Sequence, residues 1–319
     1  MSIFRRIGGL RVPVGAGGRR LESGGMAPRL VFGAANIVGE SAVYDERRDA
    51  LVWVDIGGKR IHRLHLAERR HEDWPAPDFP TSIGLRTDGG AIVGLRDRVA
   101  LWDYGGEFRT LAIIEPDLPD NRLNEGRVGP DGAFWVGTMQ NNLHPDGAPK
   151  SMTRDSGAIY RIEGNGRVSQ LTPREFGITN TMAWTDDWRF LTADTTRNAI
   201  YAYDLRGGVL SNKRIFAPPI DRGAPDGSCL DVKGRLWNCR VAGGACVVCI
   251  RPDGALDRFV DLPCTWPTSC AFGGPDFATL YVTSARFTMT PEHIGTHPEE
   301  GALFALEVGV RGRAEHRFK

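Results

Sequence analysis

The feature that most restricts what this chain can fold into is an internal repeat. A turn followed by a short strand recurs six times, at Tyr44-Asp…Leu51-Val-Trp-Val-Asp55, Thr87-Asp-Gly…Ile92-Val, Pro130-Asp-Gly-Ala-Phe-Trp-Val136, Thr185-Asp-Asp…Phe190-Leu, Val232-Lys-Gly-Arg-Leu-Trp237 and Pro275-Asp…Leu280-Tyr-Val-Thr283, about 40 to 56 residues apart. A second strand follows each after a loop, and two of these, Gly157-Ala-Ile-Tyr-Arg-Ile162 and Gly301-Ala-Leu-Phe-Ala-Leu306, are nearly the same sequence. A repeat of this length is one supersecondary unit that must stack on its neighbours to bury an apolar face. Four short antiparallel strands per unit, six times over, predict an all-β fold and a six-bladed β-propeller. A linear solenoid is the alternative. It needs capping repeats and leaves open edges, whereas the strand-like Leu30-Val-Phe32 offers a way to close a ring by joining the last blade.

Composition agrees where it bears on the argument. With 40 Gly in 319 residues and short apolar runs of Val, Ile, Trp, Tyr and Phe between them, many strands joined by tight turns are expected, and windows at helical spacing are nearly absent. The 40 Lys and Arg against 39 Asp and Glu leave no net field to collect polyanions, so nucleic acid is not an expected partner. Apolar stretches reach only five to seven residues, short of the roughly 20 that a membrane-spanning helix needs, so no membrane association is expected either. All six cysteines fall between Cys229 and Cys270, and reduced thiols in a cytoplasmic protein are the expectation. Cys246 and Cys249 have C-x-x-C spacing but sit in a strand-like run, where positions three apart point to opposite faces; buried thiols are the main reading and a zinc or redox pair the alternative. Residues 1–25 hold seven Gly, five Arg and one Glu without apolar periodicity. They read as a disordered extension ahead of a single domain spanning 26–319, with an Arg-rich targeting peptide as the alternative.

The repeat also aligns the start of each blade, where the innermost strand leaves the central axis. Four residues before the apolar residue that precedes each turn stand Glu40, Thr81, Asn124, Asn180, Asp226 and Thr268. All are polar, and in a propeller they converge as a ring at one mouth of the channel. One Glu, one Asp, two Asn and two Thr offer hard oxygen ligands with two negative charges, a set that suits a divalent cation such as Ca²⁺, Mg²⁺ or Mn²⁺. Polar residues at strand ends also satisfy backbone groups, but two acids aimed into one channel repel unless something positive lies between them. No nucleophile elbow and no H-E-x-x-H motif occurs, so triad and zinc-peptidase chemistry are not indicated.

The residues around this ring carry a resemblance. Gly39-Glu-Ser-Ala-Val-Tyr-Asp45 with Trp53-Val-Asp-Ile56, Asn121-Arg-Leu-Asn-Glu-Gly126 with Phe134-Trp-Val-Gly-Thr-Met139, Asn180-Thr-Met-Ala-Trp184, Pro225-Asp-Gly227 with Leu236-Trp237, and Phe272-Gly-Gly274 with Leu280-Tyr-Val-Thr283 together resemble the SMP-30/gluconolactonase/regucalcin family, in order, from about Gly39 to Leu306. The resemblance implies a six-bladed propeller and a metal-dependent hydrolase of sugar lactones. It implies Glu40, Asn180 and Asp226 as ligands of one divalent metal ion, with Ca, Zn, Mg, Mn and Fe not distinguished, and Asp226 also as the catalytic base. Arg122 and Asn124 match the family's substrate-binding pair. An acidic substrate contact of the animal members falls, by count, near Asn142. Two departures are visible: Asn124-Glu-Gly126 stands where Asn-Asp-Gly is common, and Asn180-Thr181 where Asn-Gly is common. The polar loop 140–154 is expected to stand over the mouth as a lid that sets substrate preference.

The reaction this implies is water attack on a lactone carbonyl, with Asp226 taking the proton and Arg122 and Asn124 holding sugar hydroxyls. Two other readings stay open at this stage: a calcium-binding propeller without enzymatic activity, and an esterase on non-sugar esters.

Overall fold

The structure, a computed structural model, describes residues 27–319 and, ahead of them, the backbone of two strands, Phe4–Ile7 and Leu10–Pro13, paired as an antiparallel hairpin. The remainder of the expected disordered extension, 1–25, lies outside the described residues. From residue 39 onward the chain builds the six antiparallel blades of a propeller; five hold four consecutive strands each, and the sixth holds three, Pro267–Gly273, Thr279–Ser284 and Leu303–Glu307. The first blade shows the plan, with strands Gly39–Asp45, Ala50–Asp55, Arg60–His65 and Arg70–Pro75 running outward from the axis. Every residue of its two inner strands is buried, while the outermost strand has none buried. That gradient follows from stacking: inner strands are covered on both faces by neighbouring blades, so they read as continuous apolar runs rather than alternating ones.

Closure of the ring follows the sequence expectation. Arg29–Phe32 pairs antiparallel with Leu303–Glu307 and supplies the outer strand of the sixth blade, so a strand that precedes the first blade completes the last. The core lies between blades. One cluster joins Val43 and Val54 of the first blade to Ile83, Val93 and Trp102 of the second; another joins Trp237 and Val247 of the fifth to Phe272, Val282 and Phe304 of the sixth. Trp53, Trp102, Trp135 and Trp237 are fully buried. An aromatic of this size contributes 150–250 Å² of buried surface, about 4–6 kcal/mol at roughly 25 cal/mol per Å².

A strap that the repeat did not forecast crosses the far end of the channel. Gly312 pairs with Asp231 of the fifth blade and donates to the Phe277 carbonyl of the sixth. Arg313 makes a two-pronged contact with Asp186 of the fourth at 2.5 and 2.7 Å, and Glu315 reaches Arg127 of the third at 3.4 Å. Arg317–Phe318 then runs parallel to Ser82–Arg86 of the second blade, with Arg317 on Asp45 of the first at 2.7 Å. The seven residues from Gly312 to Phe318 thus touch all six blades. Phe318, 4% exposed, plugs the base against Val128 and Phe134.

All six cysteines are free and buried. Cys246 and Cys249 point into different interblade clusters, as alternation along one strand requires, so they form no metal or redox pair. Among the described residues no helix is long and apolar enough to cross a membrane.

Candidate active site

Each inner strand must turn its first side chains toward the axis, and the backbone does this with β-bulges. Register shifts fall between Glu40 and Val43, Leu123 and Gly126, Asn180 and Ala183, Pro225 and Ser228, and Pro267 and Cys270. A bulge places two residues opposite one, bends the strand and re-aims the side chain within it. Ser41 and Thr181, each one residue after a candidate ligand and each inside a register shift, hold φ of +53° and +56°, in the left-handed region. At Asp226 the next residue must be Gly227. A Cβ there would lie 2.9 Å from Ser269 Cα and from the Thr268 carbonyl, because the fifth and sixth blades approach most closely beside the axis.

Five of the six ring residues line one cleft: Glu40, Asn124, Asn180, Asp226 and Thr268. Thr81 does not. The inner strand of the second blade pairs without a register shift, and the Thr81 hydroxyl bonds the Gly94 carbonyl at 3.2 Å instead. The Thr268 hydroxyl reaches the Gly39 carbonyl and Thr283, so it fixes backbone as well as lining the wall. Arg122, Asn142 and Thr195 complete the polar lining, and Ile56, Leu143, Ile178, Val241, Trp266 and Phe287 are part of the apolar wall. The enclosed floor holds about 60 Å³, space for a cation and a few waters.

The electrostatics centre on two carboxylates. Burial pushes Glu40 well above the usual carboxylate range, and the nearby Asp226 and Glu125 add to the shift. Burial does the same to Asp226, again with Glu125 contributing, and the Glu40 and Asp226 carboxyls lie close enough to share a proton. Glu125, also buried, is raised to about 7 by desolvation. Glu40 and Asp226 face the Arg122 guanidinium, itself lowered to about 10 by burial, while Glu125 feels the charge of Arg127.

A hydrogen-bond chain links that cation to the ring. Arg122 Nη1 donates to Asn124 Oδ1 at 2.7 Å and to the Leu123 carbonyl at 2.8 Å. Its Nε and Nη2 both donate to Asn142 Oδ1, at 3.3 and 2.8 Å. Asn124 Nδ2 in turn donates to the Thr179 carbonyl at 2.7 Å and to Asn180 Oδ1 at 3.3 Å. Asn180 Nδ2 donates to Thr195 Oγ1 at 2.7 Å, which fixes the amide so that its oxygen is the atom turned to Asn124. Asn142 therefore sits where the sequence count places it, with a neutral amide against the guanidinium in place of an acid.

The loop 140–154 packs down over the cleft. Leu143, 2% exposed, joins the cluster with Phe79, Val38 and Phe287. The loop's ends are tied by Gln140 Oε1, which accepts from the Thr153 and Arg154 amides at 2.6 and 3.0 Å, and by Lys150 on Asp120 at 2.7 Å.

Oxygen donors that fit a divalent cation are present: two carboxylates made costly by burial and mutual repulsion, and one oriented amide oxygen. Among the described residues no group of three His, Cys, Asp or Glu is poised to hold a metal. Two contributors escaped the sequence reading. Thr195 orients Asn180 and also donates to the Pro225 carbonyl at 2.8 Å. Thr181 donates to the Asp226 carbonyl at 2.5 Å and pairs with Ser228 at 2.8 Å. The departure from Asn-Gly at Asn180-Thr181 thus exchanges an unstrained glycine for a hydroxyl that holds the neighbouring blade.

Comparison with known proteins agrees with this architecture. A family model described as SMP-30/Gluconolactonase/LRE-like region matches residues 38–286. A 6-deoxy-6-sulfogluconolactonase of Pseudomonas putida is 33% identical over 296 residues, covering 91% of this chain and 98% of that protein. Human regucalcin is 30% identical over 286 residues, covering 88% of this chain and 94% of its own length. Among solved structures, a calcium-binding regucalcin from Agrobacterium tumefaciens superposes with a TM-score of 0.84 at 29% identity, over 92% of this chain and 98% of that one. With the family model matched across most of the chain, and over the stretch that carries Glu40, Arg122, Asn124, Asn180 and Asp226, this protein is a member of the SMP-30/gluconolactonase/LRE-like family.

Proposed function

We propose that this protein hydrolyses a sugar lactone, an aldono-1,4- or 1,5-lactone, to the open acid with the help of one divalent metal ion. The observation that carries the reading is the pair of buried carboxylates, Glu40 and Asp226, aimed at one point beside the Arg122 and Asn124 pair. A site built only to bind a cation has no use for a guanidinium and an amide held beside it; a site for a polyhydroxylated substrate does. The sulfogluconolactonase and regucalcin relatives support the same reading.

Glu40, Asn180 and Asp226 would hold the ion. When bound, it supplies positive charge that polarises the ester carbonyl and relieves the repulsion between the two acids. The chain's own residues account for the rest. Asp226, ionised in the loaded site, takes a proton from the attacking water. Arg122, fixed by Asn124 and Asn142, presents its remaining N–H to a substrate oxygen, and Asn124 and Asn142 add amide groups around the sugar. Holding the lactone against the water in this way replaces a bimolecular encounter with an oriented one. Leu143, Trp266 and Phe287 cover the ring's apolar edge and limit bulk water.

The test is a panel of five- and six-membered aldonolactones, with spontaneous opening subtracted, assayed with Ca²⁺, Mg²⁺, Mn²⁺, Fe²⁺ and Zn²⁺ supplied in turn. At least one pair should open far faster than in buffer, and chelation should stop it. If no lactone opens faster while calcium still binds, the protein is a binding propeller; if only simple esters are cleaved, it is a general esterase.

A further inference from the structure

On the opposite face of the propeller, beneath the C-terminal strap, lies a cavity of about 370 Å³. Met182, Leu230 and Phe272 form part of its apolar wall, and Arg127, Glu315 and His316 part of its polar one. The cavity reaches Cys229. Behind Cys229, on the inner strand of the next blade, stands Cys270, with the two sulfurs 3.6 Å apart. The strands that carry them, Ala224–Leu230 and Pro267–Gly273, hold Asp226 and Thr268 at their other ends. Two thiols in contact across a blade boundary, with an open space leading to one of them, differ from ordinary buried cysteines such as Cys246 or Cys264.

We propose that Cys229 and Cys270 are a dithiol that a small hydroperoxide, entering through the far-face cavity, oxidises to an interblade disulfide. The cavity sets the order of events. Hydrogen peroxide reaches Cys229, whose sulfur attacks one peroxide oxygen; the O–O bond breaks, and the departing oxygen takes the Cys229 thiol proton and leaves as water. Cys229 is then a sulfenic acid. The Cys270 sulfur attacks the Cys229 sulfur, the S–S bond forms, and the sulfenic oxygen takes the Cys270 thiol proton and leaves as a second water. Two thiols and one peroxide become one disulfide and two waters, the two electrons passing from sulfur to the peroxide oxygens.

The surroundings suit the pair. Closing the gap from 3.6 Å to a bond of about 2.05 Å needs a movement of about 1.5 Å. The charged groups facing the thiols are Arg127, Glu125 and Glu315. Burial raises the Cys229 thiol, with Arg127 opposing, and the Cys270 thiol donates to the Trp237 carbonyl at 3.4 Å. Cys239 is the competing partner, since it also borders Cys270. The far-face cavity does not reach it.

The full-length folded protein, treated with hydrogen peroxide, then alkylated under denaturing conditions and mapped by peptide mass, tests this. Two of the six thiols should escape alkylation, and a Cys229–Cys270 linked peptide pair, lighter by two hydrogens, should appear and vanish on reduction. In Cys270→Ser, dimedone should capture Cys229 as its sulfenic acid. In Cys229→Ser, Cys270 should stay unmodified under the same exposure. The wild-type map needs no variant to fold. Alkylation of all six thiols after peroxide, or a bridge from Cys239 in place of Cys229, would overturn the proposal, as would failure of dimedone to label Cys229 in folded Cys270→Ser.

Discussion

Replacing Glu40 by Gln separates the cost of the carboxylate pair from its use. In the ion-free protein both Glu40 and Asp226 sit above their ordinary range, first because burial disfavours ionisation and then because neighbouring acids repel them, Asp226 and Glu125 on Glu40 and Glu125 on Asp226. Groups whose folded pKa is raised keep the folded state more protonated than the unfolded chain. Their stabilising contribution is present below the unfolded value, near 4, and is lost as pH rises through the folded one. Each such group contributes a slope of up to ~1.4 kcal/mol per pH unit over that window. Glu125, raised to about 7, carries the same sign into the neutral range. Ion-free protein should therefore melt lower at pH 8 than at pH 5, and Glu40→Gln, which keeps an acceptor for the Ser41 amide, should melt higher than wild type at pH 8. A divalent ion reverses the ranking. At 100 times its dissociation constant it stabilises wild type by ~2.7 kcal/mol, a rise of about 5 °C for a domain of this size, while Glu40→Gln at the same concentration should rise far less. Thermal melts with chelator and with added ion, at both pH values, read all four numbers. Equal ion-induced shifts in the two proteins, or a chelated Glu40→Gln that melts below wild type at pH 8, would refute the reasoning.

Other expectations are independent of that pair. Phe318→Ala removes the plug of the strap, and a buried Phe truncated to Ala costs about 3–5 kcal/mol; an unchanged denaturant midpoint would mean that the strap does not hold the blades. Thr181→Gly relieves a left-handed residue worth ~1–2 kcal/mol but drops the hydroxyl from the Asp226 carbonyl, so stability should change little while turnover falls; retained turnover would show that the hydroxyl does not position Asp226. His62, stacked on Trp53 and in contact with His71 at 3.1 Å, is lowered to about 4 by burial and then by His71, with Asp73 opposing and Arg60 adding. A histidine neutral in the folded state but charged in the unfolded chain loses stability as pH falls from about 6.5 to about 4, at most ~3 kcal/mol, and His62→Phe should flatten that stretch of the stability curve in denaturant titrations.

The sequence reveals what repeats. Strand after strand, the turn-and-strand unit defines the blades, and counting back from each turn finds Glu40, Asn124, Asn180, Asp226 and Thr268 because every blade enters the axis in one register. Thr81 obeys the same count and still falls outside the cleft, since a bulge depends on how two strands pair and one strand's sequence does not carry that information. Thr195 is hidden for a related reason: it belongs to the end of a second strand, and only the fold brings it to Asn180. The strap and the Cys229–Cys270 contact join segments far apart in the chain without any periodic signal. Cys246 and Cys249, by contrast, separate to opposite faces as alternation along one strand demands.

The central claim is that the ion-binding pair and the lactone chemistry are one site. The most direct test is the initial rate of opening of a five-membered aldonolactone by chelator-stripped protein as free divalent ion is added back, for wild type and for Asp226→Asn side by side. The account predicts a wild-type rate that climbs from the buffer value and saturates with ion, and an Asp226→Asn rate that stays at the buffer value throughout. A chelator-stripped wild type that already works at full rate, or an Asp226→Asn protein that saturates to the wild-type rate, would contradict it.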